Sequence, residues 1–461
     1  MRLVRVLLSV AILFVLLCVG FIAVTWQSEI APIARPDSAS FDPQSVMRGA
    51  ELAAAGNCIA CHTVPGGKAF AGGLALPTPF GTIYSTNITP DEATGIGRWS
   101  EAAFQRAMRT GVDRGGNRLY PVFPYDHFTL VSDADDRALY AYLMTRQPVA
   151  ATPPRNGLPF PLNIRPLMAA WNLLSFKEGP FEPDARQSAE WNRGAYLAQG
   201  LGHCGACHTP RNALGAEKRS QAFSGGEAEG WVAYAINGAS PAPIPWDKDS
   251  LAFYLRHGFH QEHGISRGPM AEVTGNLAGL PDDDVAAIAT YIVSLMGTPS
   301  TDRQKQVEQL RNIASGGTVE AAASGDSQGL PGATQDRGAA IYRSACATCH
   351  ESRRPLPFGG LAFDLSTAVH APNPQNIVNV VLFGLPPADG ESSAVMPAFG
   401  GALSDGDVVA LLQHLRRTFT QAPDWDGLQK QVADTRSGAH TVRVRPADGI
   451  ERSPANVGAE E

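Results

Sequence analysis

The sequence predicts a mainly α-helical chain, with three tandem domains following an N-terminal transmembrane helix. Three observations predict it. The pentapeptide Cys-x-x-Cys-His occurs three times, at Cys58–His62, Cys204–His208 and Cys346–His350, spaced 146 and 142 residues apart. An Arg-Gly-Ala phrase precedes each copy, and a gapless twelve-residue helical pattern follows each. An apolar run from Val6 to Val24 stands at the head of the chain, directly after Met1-Arg-Leu-Val-Arg5.

Taken in order, the first element is that apolar run. Nineteen residues at 1.5 Å each make about 28 Å of helix, close to the hydrocarbon thickness of a bilayer. Arg2 and Arg5 precede it, which orients the N-terminus to the cytoplasm and sends the bulk of the chain across. Residues 1–30 are therefore expected to be a signal-anchor helix, with Trp26 as its interfacial aromatic. An ordinary cleaved signal is the alternative, although no small-x-small site precedes Trp26. Leu17 is too bulky for lipidation at Cys18. Either reading puts the folded domains on the periplasmic side of the cytoplasmic membrane.

The repeats come next. Arg48-Gly49-Ala50, Arg193-Gly194-Ala195 and Arg337-Gly338-Ala339 lie 10, 11 and 9 residues before the first cysteine of each motif. Each phrase sits in a predicted short helix, over Met47–Ala55, Asn192–Gln199 and Asp336–Arg343. Glycine there costs about 1 kcal/mol against alanine, so its threefold recurrence predicts close approach of a second helix. The candidates for that helix begin at Ser132, Pro281 and Ser404. Each has an N-terminal cap or proline, aspartates in its first turn and apolar residues at helical spacing. The implied organisation is domain one at 41–150, a Pro-rich connector at 151–187, domain two at 188–298, a flexible linker at 299–334, domain three at 335–420 and a polar tail at 421–461. Trp171, Phe160, Leu167 and Leu173 suggest that the connector packs on something. The tail is expected to lose order beyond about residue 430.

Cys-x-x-Cys-His is the attachment signature of c-type haem. The thiols of Cys58 and Cys61, Cys204 and Cys207, and Cys346 and Cys349 would form thioethers to the porphyrin. His62, His208 and His350 would supply the proximal nitrogen to iron. Three covalently bound haems c are thus expected, in domains ordered as in a class I cytochrome c, which the helix–motif–loop–helix plan resembles. Six of the seven cysteines sit in these motifs, so a disulfide framework is excluded. Zinc at the same motifs would want four ligands each, and too few cysteines remain. The net charge of −7 with no basic block argues against a nucleic-acid partner.

The sixth ligands should lie on the loop before each second helix. Met270, in Gly268-Pro269-Met270, and Met396, in Val395-Met396-Pro397, fit for haems two and three, and a Met sulfur opposite His raises the reduction potential. Domain one carries Phe123 where the Met belongs, and Phe cannot bind iron. His127, four residues on, is the first choice, giving a bis-His haem of lower potential. Met108, Met144 or an open five-coordinate iron are the alternatives. Trp99, Arg211 and Trp231 are candidates to pair with or pack on propionates, and His203 to lie at the surface or near one. His257, His260 and His263 form a cluster with metal-ligand chemistry but without a strong fourth donor.

Longer phrases carry a family resemblance over residues 42–420. They are Tyr84-Ser-Thr-Asn-Ile-Thr-Pro-Asp91, Thr94-Gly-Ile-Gly97, Leu158-Pro-Phe-Pro-Leu-Asn-Ile-Arg165, Ser188-Ala-Glu-Trp-Asn-Arg-Gly-Ala-Tyr-Leu197 and Cys207-His-Thr-Pro-Arg-Asn-Ala-Leu-Gly-Ala-Glu-Lys218. The chain resembles the triple-haem cytochrome c subunits of membrane-bound periplasmic dehydrogenases. Met270 and Met396 match that family's axial positions. Phe123-Pro-Tyr-Asp-His-Phe-Thr129 departs from the Tyr-Pro-Ala-Met-Pro-Tyr form of the alcohol dehydrogenase branch. It looks like the branch that accompanies molybdenum hydroxylases of the aldehyde, isoquinoline and nicotinate type.

The resemblance implies an electron-transfer subunit with no substrate chemistry of its own. It would take electrons from the large and small subunits of a molybdopterin and iron–sulfur dehydrogenase and pass them to ubiquinone or a terminal oxidase. A quinoprotein alcohol or flavin gluconate-type dehydrogenase is the alternative partner. A haem enzyme with an open first haem is the alternative of another class.

Overall fold

The computed structural model describes residues 4–5, 7–9, 12, 20, 26–314, 336–356, 359–385 and 396–438. The chain divides into two compact units, Met1–Glu182 and Pro183–Glu461. The first holds one Cys-x-x-Cys-His motif and most of the connector; the second holds the other two motifs. The strands among the described residues form three short antiparallel hairpins, Ala75–Thr78 with Gly81–Tyr84, Gly226–Ala228 with Trp231–Ala233, and Phe259–His260 with Gly264–Ile265.

Each domain is built on a crossed pair of helices, one before the Cys-x-x-Cys-His motif and one closing the domain. The pairs are Pro43–Ala55 with Asp133–Met144, Ala189–Gln199 with Asp282–Met296, and Arg337–Ile341 with Asp405–Phe419. Local chemistry starts them. Asp42, Ser188 and Asp336 cap the first helices by accepting backbone N–H bonds, and Ser132 and Ser404 cap two of the closing ones. Aspartates in the first turn of every closing helix complement its dipole.

The Arg-Gly-Ala phrase is the crossing point. A Cβ on Gly49 would stand 2.0 Å from the Ala138 carbonyl oxygen, one on Gly194 1.8 Å from that of Ala287, and one on Gly338 2.1 Å from that of Ala410. The three carbonyls occupy the same position of the repeat, so backbone rests on backbone in each domain. The arginine beside each glycine reaches the third residue past the start of the partner pattern. Arg48 Nε lies 3.3 Å from Asp135, Arg193 makes two 2.7 Å bonds to Asp284, and Arg337 Nε lies 2.8 Å from Asp407. Such half-exposed pairs contribute about 0–1 kcal/mol each. Their role is to fix the register of the crossing.

Four expectations change. The N-terminal transmembrane helix is not supported: no helix among the described residues is long and apolar enough to cross a membrane. Most of residues 1–25, including Cys18, lie outside the described residues. The segment expected to be a flexible linker carries a helix, Thr301–Ala314, whose Val307 is buried with Ile244 and Leu365. Its apolar residues are too sparse to announce a helix, and the partner residues come from distant parts of the chain. The tail likewise folds into a helix, Leu428–Ser437, which buries Leu428 and Val432 in the third core. Burying two such side chains favours folding by about 1.5–3 kcal/mol each, enough to order a short amphipathic segment. In the connector, Trp171 is buried and packs edge-on against Tyr125, but Phe160 and Leu173 are 80% and 86% exposed. Only one face of its helix, Met168–Ser175, meets the domain.

Candidate functional site

All three Cys-x-x-Cys-His motifs fold into a short helical turn, at Cys58–His62, Gly205–His208 and Ala347–His350. A helix brings residues three and four apart onto one face, so each cysteine pair and its histidine can address one planar ligand. In domain one a left-handed Asn57, at φ 50°, turns the chain into the motif. In domain three a π-helical stretch, Tyr342–Cys346, does so.

Each candidate proximal imidazole is held the same way. His62 Nδ1 lies 2.6 Å from the Thr86 carbonyl oxygen, His208 Nδ1 2.6 Å from that of Tyr234, and His350 Nδ1 2.8 Å from that of Leu361. A carbonyl only accepts, so Nδ1 must carry the proton and Nε2 keeps its lone pair free for a metal. Burial pushes all three histidines below their ordinary pKa, which favours the neutral, ligating form. In domains one and two the proximal loop closes with matching bonds. Gly72 and Gly225 donate N–H to the His62 and His208 carbonyls at 2.7 and 2.8 Å, while Phe70 and Phe223 donate to the buried Thr63 and Thr209 hydroxyls. Domain three is built differently there: Phe363 stacks on His350 with ring centroids 4.1 Å apart.

The second domain shows how proximal and distal sides meet. Tyr234, whose carbonyl holds His208, directly follows the strand Trp231–Ala233. The Trp231 ring packs on the distal turn: a Cβ on Gly268 would lie 2.7 Å from it. Gly268 is left-handed at φ 58° and is followed by Pro269-Met270, the start of the helix Pro269–Leu277. Met270 thus follows directly on the turn that packs against Trp231. In domain three, the carbonyl of Met396 accepts from Leu385 N at 2.8 Å, and its side chain packs on the core that also receives Phe363.

In domain one, His127 is half-buried on the one-turn helix Tyr125–Phe128, and Phe123 packs against Phe128 with ring centroids 5.3 Å apart. Met108 and Met144 are 6% and 0% exposed and belong to the helix-packing core.

The side chains left over fit a haem. Trp231 Nε1 is buried with no hydrogen-bond partner among the described residues, and so is Arg267 Nε, three residues before Met270. A buried unpaired donor costs about 1–3 kcal/mol, and a propionate carboxylate would satisfy both. Of the other candidates, Arg211 spends its guanidinium on the Ala206 and Gly215 carbonyls, and His203 Nδ1 lies against the Leu201 carbonyl. The Trp99 carbonyl accepts from the Tyr140 hydroxyl. The carbonyl clamps and Arg267 were missed in the sequence. The only legible signals for them were the threonine following two of the three motifs and the basic residue before Gly268-Pro269-Met270.

Comparison with known proteins agrees with this geometry. The family model "Cytochrome c" matches residues 46–147, and "Cytochrome C oxidase, cbb3-type, subunit III" matches residues 333–415. The chain is 45% identical over 424 residues to a nicotinate dehydrogenase subunit of Pseudomonas putida, covering 91% of this chain but 34% of that one. It is 38% identical to the gluconate 2-dehydrogenase cytochrome c subunit of Pantoea cypripedii, covering 85% and 89% of the two chains. It is 37% identical to the fructose dehydrogenase cytochrome subunit of Gluconobacter japonicus, covering 87% and 82%.

Proposed function

Because this chain belongs to the cytochrome c subunits of dehydrogenases and carries haem c for electron transfer, we propose that it holds three haems. We propose further that it relays electrons from a molybdopterin and iron–sulfur dehydrogenase of N-heterocycles or aldehydes to ubiquinone or a terminal oxidase. The observation that carries the three-haem reading is the clamp repeated at His62, His208 and His350. The partner class rests on the similarity to the nicotinate dehydrogenase chain across 91% of this one, and on the Phe123–Thr129 run. The domains sit on the periplasmic side, since covalent haem attachment needs an exported chain.

Bound haem supplies reversible one-electron ferric–ferrous chemistry. The chain's residues set its terms. Cys58, Cys61, Cys204, Cys207, Cys346 and Cys349 would hold the porphyrins, and the three clamped imidazoles would present Nε2. Met270 and Met396 would complete six-coordinate sites of raised potential, and His127 would complete a lower-potential site in domain one. Trp231 and Arg267 would donate to propionates.

Domains two and three are held together by a polar seam suited to fixed spacing. Val232 N donates to Asn376 Oδ1 and Asn376 Nδ2 to the Val232 carbonyl, both at 2.9 Å, while Asn379 Nδ2 donates to the Gly230 carbonyl.

The test is isolation of the tagged chain from its native host. Molybdenum should elute in fixed ratio to haem iron, the chain's mass should exceed its sequence mass by three haems, and adding nicotinate or an aldehyde without oxygen should reduce the haems. A quinone or flavin cofactor in place of molybdenum would overturn the partner assignment, and fewer than three haems would overturn the relay.

A further inference from the structure

The second domain contains a cluster outside the haem clamps. The hairpin Phe259–His260 with Gly264–Ile265 is closed by Gln261, Glu262 and His263. One ligand atom each from His260, Glu262 and His263 lies within 4.8 Å of the others. His263 is 8% exposed, and neither of its ring nitrogens has a hydrogen-bond partner among the described residues. Its ring is fixed by stacking on Trp246, centroids 3.4 Å apart and planes 12° apart. A buried imidazole that is held in place and makes no hydrogen bond lacks a partner that its chemistry requires.

We propose that His260, Glu262 and His263 form a binding site for a divalent transition-metal ion of the zinc class. The donor set is two imidazoles and a carboxylate, the set of open three-ligand zinc sites in which water takes the fourth position. Burial pushes His263 down to about 3, so it is neutral at any physiological pH. The Glu262 N–H reaches His260 Nδ1 at 3.2 Å, a long bond that can give way to a metal. Glu262 is gripped by Arg311 at both carboxylate oxygens, at 2.5 and 2.8 Å. Each oxygen still keeps a lone pair for an ion, and the grip orients the carboxylate. Asp247 adds negative charge that acts on both imidazoles, against the positive charge of Arg311. Zinc–nitrogen and zinc–oxygen distances near 2.0–2.2 Å put donor atoms of one tetrahedral ion about 3.3–3.6 Å apart, so a 4.8 Å spread closes by rotation of His260 and Glu262 toward the stacked His263 ring. His257 stays outside the site and packs on Phe253.

The place of this hairpin gives the site consequence. At its tip Gln261 makes two 2.9 Å bonds to the backbone of Leu356, and Gly264 faces Leu361, whose carbonyl clamps His350. Beyond Ile265 the chain runs five residues to Met270. An ion here would stiffen the hairpin that bonds to Leu356 and packs against Leu361.

The test is calorimetric titration of the haem-loaded full chain, stripped with chelator, with zinc chloride. One saturable site per chain is expected. His260→Ala and Glu262→Gln should each weaken it tenfold or more, His257→Ala should leave it unchanged, and unaltered haem spectra would show that each variant is folded. Absence of saturable binding would overturn the proposal. So would binding that His260→Ala and Glu262→Gln leave unchanged, or that His257→Ala weakens equally.

Discussion

Gly194→Ala should unlock the second domain. The added Cβ would stand 1.8 Å from the Ala287 carbonyl oxygen and 2.4 Å from its carbon. That is about 1.6 Å inside the 3.4 Å at which ordinary contact begins. Both obstructing atoms are helix backbone, so no side chain can swing away and the two helices must part at their crossing. Parting them loosens Ala195, Leu197, Ala198, Val285 and Ile288, all within 4% of full burial. It also strains the paired bonds from Arg193 to Asp284. Overpacking of this kind costs about 3 kcal/mol or more. For a domain of about 100 residues that lowers Tm by roughly 10–25 °C. The assay is thermal unfolding of the haem-loaded chain with hydrogen exchange read by peptide. Peptides from 189–199 and 282–296 should lose protection while 405–419 keeps it. Gly275→Ala is the control: it lies in the helix Pro269–Leu277 with nothing within 4 Å of the new Cβ. It should be neutral or stabilising by up to about 1 kcal/mol. A Gly194→Ala protein melting within about 2 °C of its parent, with unchanged exchange, would refute the backbone-contact reasoning and with it the shared explanation for Gly49 and Gly338.

Two further outcomes are expected. Asp136 is 1% exposed and burial pushes it up to about 7, against the pull of Arg109. A folded-state pKa above the unfolded one means stabilisation that is complete below about 3.8 and lost as pH rises through about 7. Asp136→Asn should therefore flatten the fall in domain-one stability between pH 4 and pH 8 and stabilise it at pH 8 by on the order of 2–4 kcal/mol. Equal pH slopes in denaturant titrations of parent and variant would refute this. His127→Ala should convert one haem to a high-spin, carbon monoxide-binding form and leave two low-spin haems; an unchanged low-spin signal would remove His127 as a ligand.

What the sequence made legible was whatever repeats. The three crossings could be placed because glycine, arginine, aspartate and the capping residue recur at fixed offsets, and each recurrence reflects one steric or electrostatic demand that a side chain must meet. What stayed hidden was either backbone or unique. The carbonyls of Thr86, Tyr234 and Leu361 carry no side-chain signature, and their separations from the histidines differ at 24, 26 and 11 residues. Arg416 is another such case: it is 3% exposed, its guanidinium donates to the Val369, Ala371 and Pro423 carbonyls and lies over Trp425. In the sequence it reads as a surface charge at the end of a helix. The helices Thr301–Ala314 and Leu428–Ser437 were missed because each has few apolar residues and is ordered by cores assembled from elsewhere in the chain.

The three domains share a frame but not a site, and the differences fall on the loops that carry the candidate haem ligands. The helix crossing is constant because any change at its glycine meets backbone. The loops are free to vary, and they do. Domains one and two close the proximal loop with glycine N–H and threonine hydroxyl bonds, whereas domain three uses a stacked phenylalanine. Domains two and three carry Met270 and Met396 at the positions proposed for the sixth ligand, whereas domain one carries Phe123 and His127 there. Axial ligand identity and hydrogen bonding to that ligand are the levers that set haem potential. A constant frame with variable loops would let one repeated sequence hold the three proposed haems at different potentials. The seam from Val232, Gly230 and Gln261 to Asn376, Asn379 and Leu356 adds the other requirement of a relay. It joins the domain carrying Met270 to the domain carrying Met396 through hydrogen bonds from the Asn376, Asn379 and Gln261 side-chain amides to backbone groups, which hold position more strictly than apolar contact alone.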